Sequence, residues 1–212
     1  MNKNILIIVA FLFAGLSASG QNKIGIKVAG GHIMADETSS LIINDDNRIT
    51  HEVSFMEYTP AKSVGMYANR DFGFLFVQGE ILYTNYSTKY LVRSYIDENV
   101  PTPNITEENN NLDLQVLGGI KIKNFRLGVG PVLHKSIDFN SGLQSFDFYN
   151  EKRRDTNMGF QAMIAYDLGP VRIDVKYEDN FSKVGDHIYN GNNQTKFKSD
   201  ISAISLGLGI GF

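Results

Sequence analysis

His134-Lys135-Ser136 sets a histidine base and a serine hydroxyl at strand spacing. Residues i and i+2 of a strand share a face, so His134 lies beside Ser136 and could take its proton. Leu133 and Ile137 alternate with this pair, which assigns His134 and Ser136 to the polar face of the strand. No acidic residue is evident in the sequence to orient the imidazole. The pair is therefore not assigned a catalytic role, and the chain is read as non-enzymatic. The sequence has no Cys, which removes thiolate nucleophiles and thiolate metal sites. Its four His are scattered, and Asp45-Asp46-Asn47 does not have the spacing of a calcium loop. No cofactor and no metal are expected.

A larger constellation lies in charges that alternate with apolar residues. Lys27, Glu80, Asp113, Lys121, Arg126, Arg172, Asp174, Lys176 and Glu178, with Asp167, each stand next to at least one large hydrophobic residue in such a run. If these charges point into a narrow interior, they must pair or be solvated. They are expected to form a salt-bridge network that fills a lumen. The other chemistry open to them is a gated ion path or a small-ligand site.

The elements that would position these residues are strands of period two. Eight are expected, at about 23–32, 52–69, 72–88, 112–122, 125–137, 157–168, 171–183 and 201–212. Val171, Ile173, Val175 and Tyr177 against Arg172, Asp174, Lys176 and Glu178 is the sharpest alternation. Pro60 is expected to mark a bulge or the end of the second strand. Three connections are short: Arg70-Asp71, Lys123-Asn124 and Gly169-Pro170. Four are long and polar, at about 33–51, 90–111, 138–156 and 184–198, and Asn104 to Asn111 reads as a solvated loop tip. Short turns at one end and long loops at the other are the layout of a membrane β-barrel.

Composition agrees with such a barrel. The formal charge of −3 gives no electrostatic case for nucleic acid. Twenty Gly, five Pro, 14 Phe and 10 Tyr suit a strand-rich chain with tight turns and aromatic girdles. Lys3, the apolar run Ile5 to Leu16 and the small residues Ala18-Ser19-Gly20 have the order of a secretory signal peptide over 1–20. The mature barrel domain is then 21–212.

Alternation alone does not say which face turns inward. A soluble lipocalin-like barrel keeps its apolar face inside, and a membrane barrel keeps it outside. Three features favour the membrane. Ile204, Leu206, Leu208, Ile210 and Phe212 alternate with Ser205, Gly207, Gly209 and Gly211 up to a final aromatic residue. Glycines lie on the charged face, where a narrow lumen needs room for long side chains. The outward aromatics fall at two heights: Phe125, Tyr166 and Phe212 near the short turns, and Tyr83, Phe160 and Tyr177 further up. These six are expected at the two lipid interfaces.

The C-terminal run resembles the closing strand of bacterial outer-membrane barrels, where the terminal aromatic is read by the barrel-insertion machinery. F-G-F-L-F-V-Q-G-E-I-L-Y-T-N-Y at 72–86, L-G-V-G-P-V-L at 127–133, V-R-I-D-V-K-Y at 171–177 and the closing L-G-L-G-I-G-F resemble the PorT-like outer-membrane barrel family of Bacteroidota. Gly79 stands where that motif often has Pro. The resemblance implies an outer-membrane barrel and no particular activity. His134-Lys135-Ser136 is similar to the His-x-Ser pair of lipid A deacylases, but there the pair must face lipid, and here it faces inward.

The expected fold is an all-β, eight-stranded, antiparallel, up-and-down transmembrane barrel in the cell outer membrane. Its expected role is non-enzymatic, in envelope integrity or partner docking through extracellular loops. The expected partners are outer-membrane lipid and lipopolysaccharide, the insertion machinery through the strand ending in Phe212, and an unknown envelope protein. The loop Phe146 to Arg154, with three basic residues, is a candidate for contact with lipopolysaccharide phosphates. The alternatives are an outer-membrane lipid-modifying enzyme and a soluble periplasmic ligand-binding barrel.

Overall fold

A computed structural model describes residues 22–36, 38–43, 49–95, 103–146, 150–151, 156–183, 188–190, 193–194 and 200–212. The expected leader at 1–20, Asp45-Asp46-Asn47 and most of the Phe146 to Arg154 loop lie outside the described residues. The barrel staves are β1 (Asn22–Met34), β4 (Ala61–Phe72), β5 (Leu75–Ser94), β6 (Asn104–Ile122), β7 (Phe125–Ser141), β9 (Thr156–Leu168), β10 (Val171–Lys183) and β13 (Asp200–Gly211). Each pairs antiparallel with its neighbours, and pairing of β5 with β6 and of β1 with β13 closes the ring. Closure removes every sheet edge at membrane depth, which lipid demands because it offers no hydrogen bonds.

The remaining strands lie at the long-loop end: β2 (Thr38–Ile43), β3 (Ile49–Tyr58), β8 (Asn150–Glu151), β11 (Ile188–Asn190) and β12 (Asn193–Gln194). β3 and β4 run along β5 as one stave broken at Thr59-Pro60, since proline cannot donate to a ladder. β2 pairs with β3, and β8, β11 and β12 form a small separate sheet.

Two local expectations are corrected. The turn after β4 is Gly73-Phe74, with Gly73 at φ 69°, and not Arg70-Asp71. Glycine meets a positive φ without steric cost, so the reversal falls there and Asp71 stays in the strand. The segment 104–111 is not a loop tip. It pairs residue by residue with β5, from Leu91–Asn104 to Thr84–Asn111, and buries Asn109 and Asn111 inside the barrel. It carries few apolar side chains, so its strand character comes from its partner strand.

From the short turns up to the apolar cap the barrel is inside out. Ile26, Val28, Met66, Val129, Ile164, Leu206 and Leu208 are exposed on the outer wall, whereas Lys27, Glu80, Arg126, Arg172, Asp174 and Lys176 are buried within. A continuous apolar outer belt around a charged interior is the pattern of a transmembrane barrel and the reverse of a soluble one. The soluble ligand-binding alternative fails on this point, because the apolar set does not line the cavity.

Toward the long-loop end the polarity inverts. Val53, Phe55, Tyr58, Tyr90 and Val92 turn inward, and Ile42, Leu143 and Ile188 pack on them as a conventional apolar core. The outer face there carries exposed ion pairs, Lys89–Glu57 at 2.7 Å and Arg93–Glu52 at 3.8 Å. The same strands therefore pass from lipid-solvated wall to water-solvated cap.

Candidate functional site: a layered polar lumen

The lowest tier sits just inside the short turns. Arg126 is fully buried and gives two hydrogen bonds to Asp71, Nη1–Oδ1 at 2.7 Å and Nη2–Oδ2 at 3.0 Å. Its Nε donates to Asp167 Oδ2 at 2.8 Å. Asp167 also accepts from Arg172 Nε at 2.6 Å, and Lys121 donates to Asp71 Oδ2 at 2.5 Å. Arg172 reaches further, to Gln78 and Asn69. The two guanidinium planes lie over aromatic rings, Arg126 over Phe76 and Arg172 over Tyr67, each at 5.1 Å.

The middle tier is a four-charge cluster. Lys27 Nζ lies 2.7 Å from Asp174 and 3.2 Å from Glu80, and Lys176 Nζ lies 2.7 Å from the other Glu80 oxygen. Gln78 donates to Glu80, and Lys176 donates to Gln115. Pairing on this scale is what allows such charges inside a narrow barrel, since an unpaired one would forfeit its hydration.

The top tier centres on His134. Nδ1 lies 2.8 Å from Asp113 Oδ1, and Nε2 lies 3.0 Å from Glu178 Oε1, off the ideal hydrogen-bond direction. Asp113 accepts from Thr84, whose hydroxyl also meets Ser63, and Glu178 accepts from Asn180. Each ring nitrogen faces a carboxylate, an arrangement that only the doubly protonated ring satisfies from both sides. The six carboxylates Asp71, Glu80, Asp113, Asp167, Asp174 and Glu178 face five Lys and Arg, namely Lys27, Lys121, Arg126, Arg172 and Lys176. A charged His134 brings the count to six against six.

The structure thus brings Lys27, Glu80, Asp113, Lys121, Arg126, Arg172, Asp174, Lys176 and Glu178 into one lumen, with Lys121 at its half-open lower mouth. An acidic partner for His134 does exist, in fact two. Both arrive from other strands, which is why none showed in the local sequence. Asp71 is the member that sequence reasoning missed, because it reads as half of a turn. Its place on the inward side of the alternation Tyr67, Asn69, Asp71 was the signal that could have found it.

Glycine makes the layers possible. β13 is the one stave that gives the network no charge, and Gly207, Gly209 and Gly211 fill its inward positions. A Cβ at Gly207 would stand 2.5 Å from Lys27 Cε and 2.7 Å from Asp174 Oδ1. The Tyr67 side chain crowds Gly25, Gly209 and Gly211 in the same way.

The six outward aromatics lie on the outer wall. Tyr83, Phe125, Phe160, Tyr177 and Phe212 are exposed, and Tyr166 is half-buried against Phe125, ring centres 4.7 Å apart. Phe72 and Phe74 at the first short turn and Phe181 high on β10 join this outer set.

No protein-family model matches the chain, and no curated protein sequence does. Among solved structures, it is similar to Neisserial surface protein A, with 13% identity, 91% of this chain and 100% of that one covered, and a TM-score of 0.49. It is similar to the attachment invasion locus protein of Yersinia pestis at 13% identity, 91% and 100% coverage and a TM-score of 0.38. The outer-membrane protease of Escherichia coli aligns at 10% identity, 92% and 100% coverage and a TM-score of 0.42.

Proposed function

We propose that this chain is a non-enzymatic outer-membrane barrel that transports nothing through its lumen and acts through its extracellular cap, in envelope integrity or in docking an envelope partner. One observation carries this reading: seven of the eight staves send a charged side chain into three stacked ion-pair clusters, the lower two joined through Gln78, and the eighth supplies glycine. An eight-stranded barrel has an interior just wide enough for side chains, so a paired network leaves no aqueous path. The apolar core around Phe55 and Tyr90 stands over it.

The arrangement at His134 also argues against a hydrolase. A general base needs a free ring nitrogen beside its nucleophile, and here Nδ1 faces Asp113 while Nε2 faces Glu178, not Ser136. The sequence motifs of the PorT-like barrels support membership in that Bacteroidota family, whose insertion would use the strand ending in Phe212. The aromatics of the outer wall fit contact with phospholipid and lipopolysaccharide.

Planar-bilayer recording of the refolded protein tests the plug, and steady large conductance would overturn it. Gel migration of the outer-membrane fraction, boiled against unboiled, tests the location, and a soluble protein with no heat-dependent shift would remove it. Mass spectrometry of lipid A and phospholipid with and without the gene tests the non-enzymatic reading; a modified lipid lost with the gene would refute it.

A further inference from the structure

The side-chain charges of the barrel are sorted along its axis. Within three residues of the short turns stand Arg70, Lys121, Lys123, Arg126 and Arg172, against two acids, Asp71 and Asp167. Lys23 joins them from the base of β1, where it pairs with Asn69. Exposed acids gather instead toward the long loops, at Asp36, Glu57, Glu108, Asp138, Asp179 and Asp200.

The lowest tier of the lumen does not use up this positive surplus. Asp71 and Asp167 are already shared among Arg126, Arg172 and Lys121. Lys23 and Lys123 are exposed. Lys23 donates to the Gly169 carbonyl at 3.3 Å, and neither lysine meets a carboxylate among the described residues. Arg70 stands on the outward side of β4, its guanidinium over the exposed Phe72 ring at 5.1 Å.

Lys123 keeps its place against its own backbone. It takes φ 57° at the position of its turn that Gly73 and Gly169 take in theirs, at φ 69° and 65°. Glycine meets this region freely, and a side chain as long as lysine rarely enters it. A lysine held there serves its charge and not the turn.

These cations lie at the lower edge of the lipid wall. Ile122 and Phe125 flank the Lys123 turn, and Phe72, Phe74 and Phe212 are exposed at the same end. A basic side chain beside an apolar wall lays its stem on the wall and its charge in the headgroup layer. Short turns face the periplasm in such barrels, so that layer is the phospholipid leaflet. A zwitterionic headgroup brings its own cation, whereas an anionic one leaves a phosphate charge to be met. We propose that the short-turn rim, through Lys23, Arg70 and Lys123, is a binding surface for anionic phospholipid headgroups of the periplasmic leaflet. Resting on the outer-membrane barrel reading, this adds which lipid is held and at which end.

Native mass spectrometry of the folded protein in neutral micelles, with equimolar phosphatidylcholine and phosphatidylglycerol, tests this. Phosphatidylglycerol adducts are expected to exceed phosphatidylcholine adducts, by roughly fivefold for each cation engaged. Lys23→Gln with Lys123→Asn is expected to remove most of the excess, and Asn suits the positive φ at 123. Lys62→Gln with Lys135→Gln, at the long-loop end, is expected to keep it. Heat-dependent gel migration of each variant reports the folded barrel separately, so a failure of the barrel reading shows there and not in the lipid ratio. Lys23→Gln with Arg70→Gln serves where Lys123→Asn does not fold. Equal adducts of the two lipids on the parent protein, or an excess that survives the rim variant or falls equally in both variants, would overturn the proposal.

Discussion

Arg126 on β7 and Asp71 on β4 meet across the lumen through two parallel hydrogen bonds, at 2.7 and 3.0 Å. Two staves, β5 and β6, separate them along the wall, so the pair ties opposing sectors of the barrel and not adjacent strands. A bidentate guanidinium–carboxylate contact fixes orientation as well as distance. Asp167 then joins Arg126 to Arg172, which extends the tie to β9 and β10.

Removing Arg126 alone should therefore be costly. Arg126→Met leaves the part-buried Asp71 and Asp167 short of a partner, and loss of one member of a buried ion pair costs about 3–5 kcal/mol. The expected result is a folded band in unboiled gels that disappears at lower urea than in the parent. Arg126→Met combined with Asp71→Leu should recover part of the loss, because no orphaned carboxylate remains at that position. Equal losses in the single and double variants would mean that the pair is not coupled.

The glycines of the barrel should divide by face. Gly207 has Lys27 and Asp174 within 3 Å of where a Cβ would stand, whereas a Cβ at Gly30, on the outer wall, would meet nothing within 4 Å. Gly207→Val is expected to destabilise the barrel by at least the roughly 1–3 kcal/mol of an overpacked core. Gly30→Val is expected to leave the urea midpoint of the gel shift unchanged. Tolerance of Val at both positions would contradict the packing of the middle tier.

Most of the barrel was legible in the sequence, for a physical reason. A wall with lipid on one side and ion pairs on the other writes its geometry as strict alternation, and Val171 to Glu178 shows it in eight residues. The nine charges assigned to the lumen could be read one strand at a time. What joins them could not, since Asp113 and Glu178 reach His134 from β6 and β10, far away in sequence. The cap was the least legible part. There the inward face is apolar and the outward face polar, so alternation continues while its meaning reverses, and 104–111 has too few apolar residues to show even that. Asp71 was lost for a different reason: Asp in a short polar stretch favours turns, and only the positive φ of Gly73 moves the reversal along the chain.

The cap should be separable from the membrane wall. Phe55 and Tyr90 are buried in the upper core, their ring centres 6.2 Å apart, while the lipid-facing belt lies below them. Phe55→Ala removes a large core side chain, a change that costs about 3–5 kcal/mol where the core is cooperative. Added protease is expected to cut the extracellular end of the variant on whole cells, whereas the membrane-embedded part keeps its heat-dependent migration. Simultaneous loss of both properties would mean that cap and wall unfold as one unit.

His134 provides the sharpest test of the charge balance. With the ring removed, Asp113 and Glu178 border the same space with no cation between them, and like charges in a poorly solvated lumen repel strongly. His134→Ala is expected to lower the urea midpoint. Adding Glu178→Gln should restore part of it, because one of the two unbalanced charges is gone; couplings of this kind are about 0.5–3 kcal/mol. Glu178→Gln in the parent background should instead destabilise, since His134 then loses one of its two carboxylates. The cycle thus reverses the sign of one substitution according to the state of position 134. A Glu178→Gln effect that is the same in both backgrounds would show that His134 is a packed ring and not the sixth cation of the lumen.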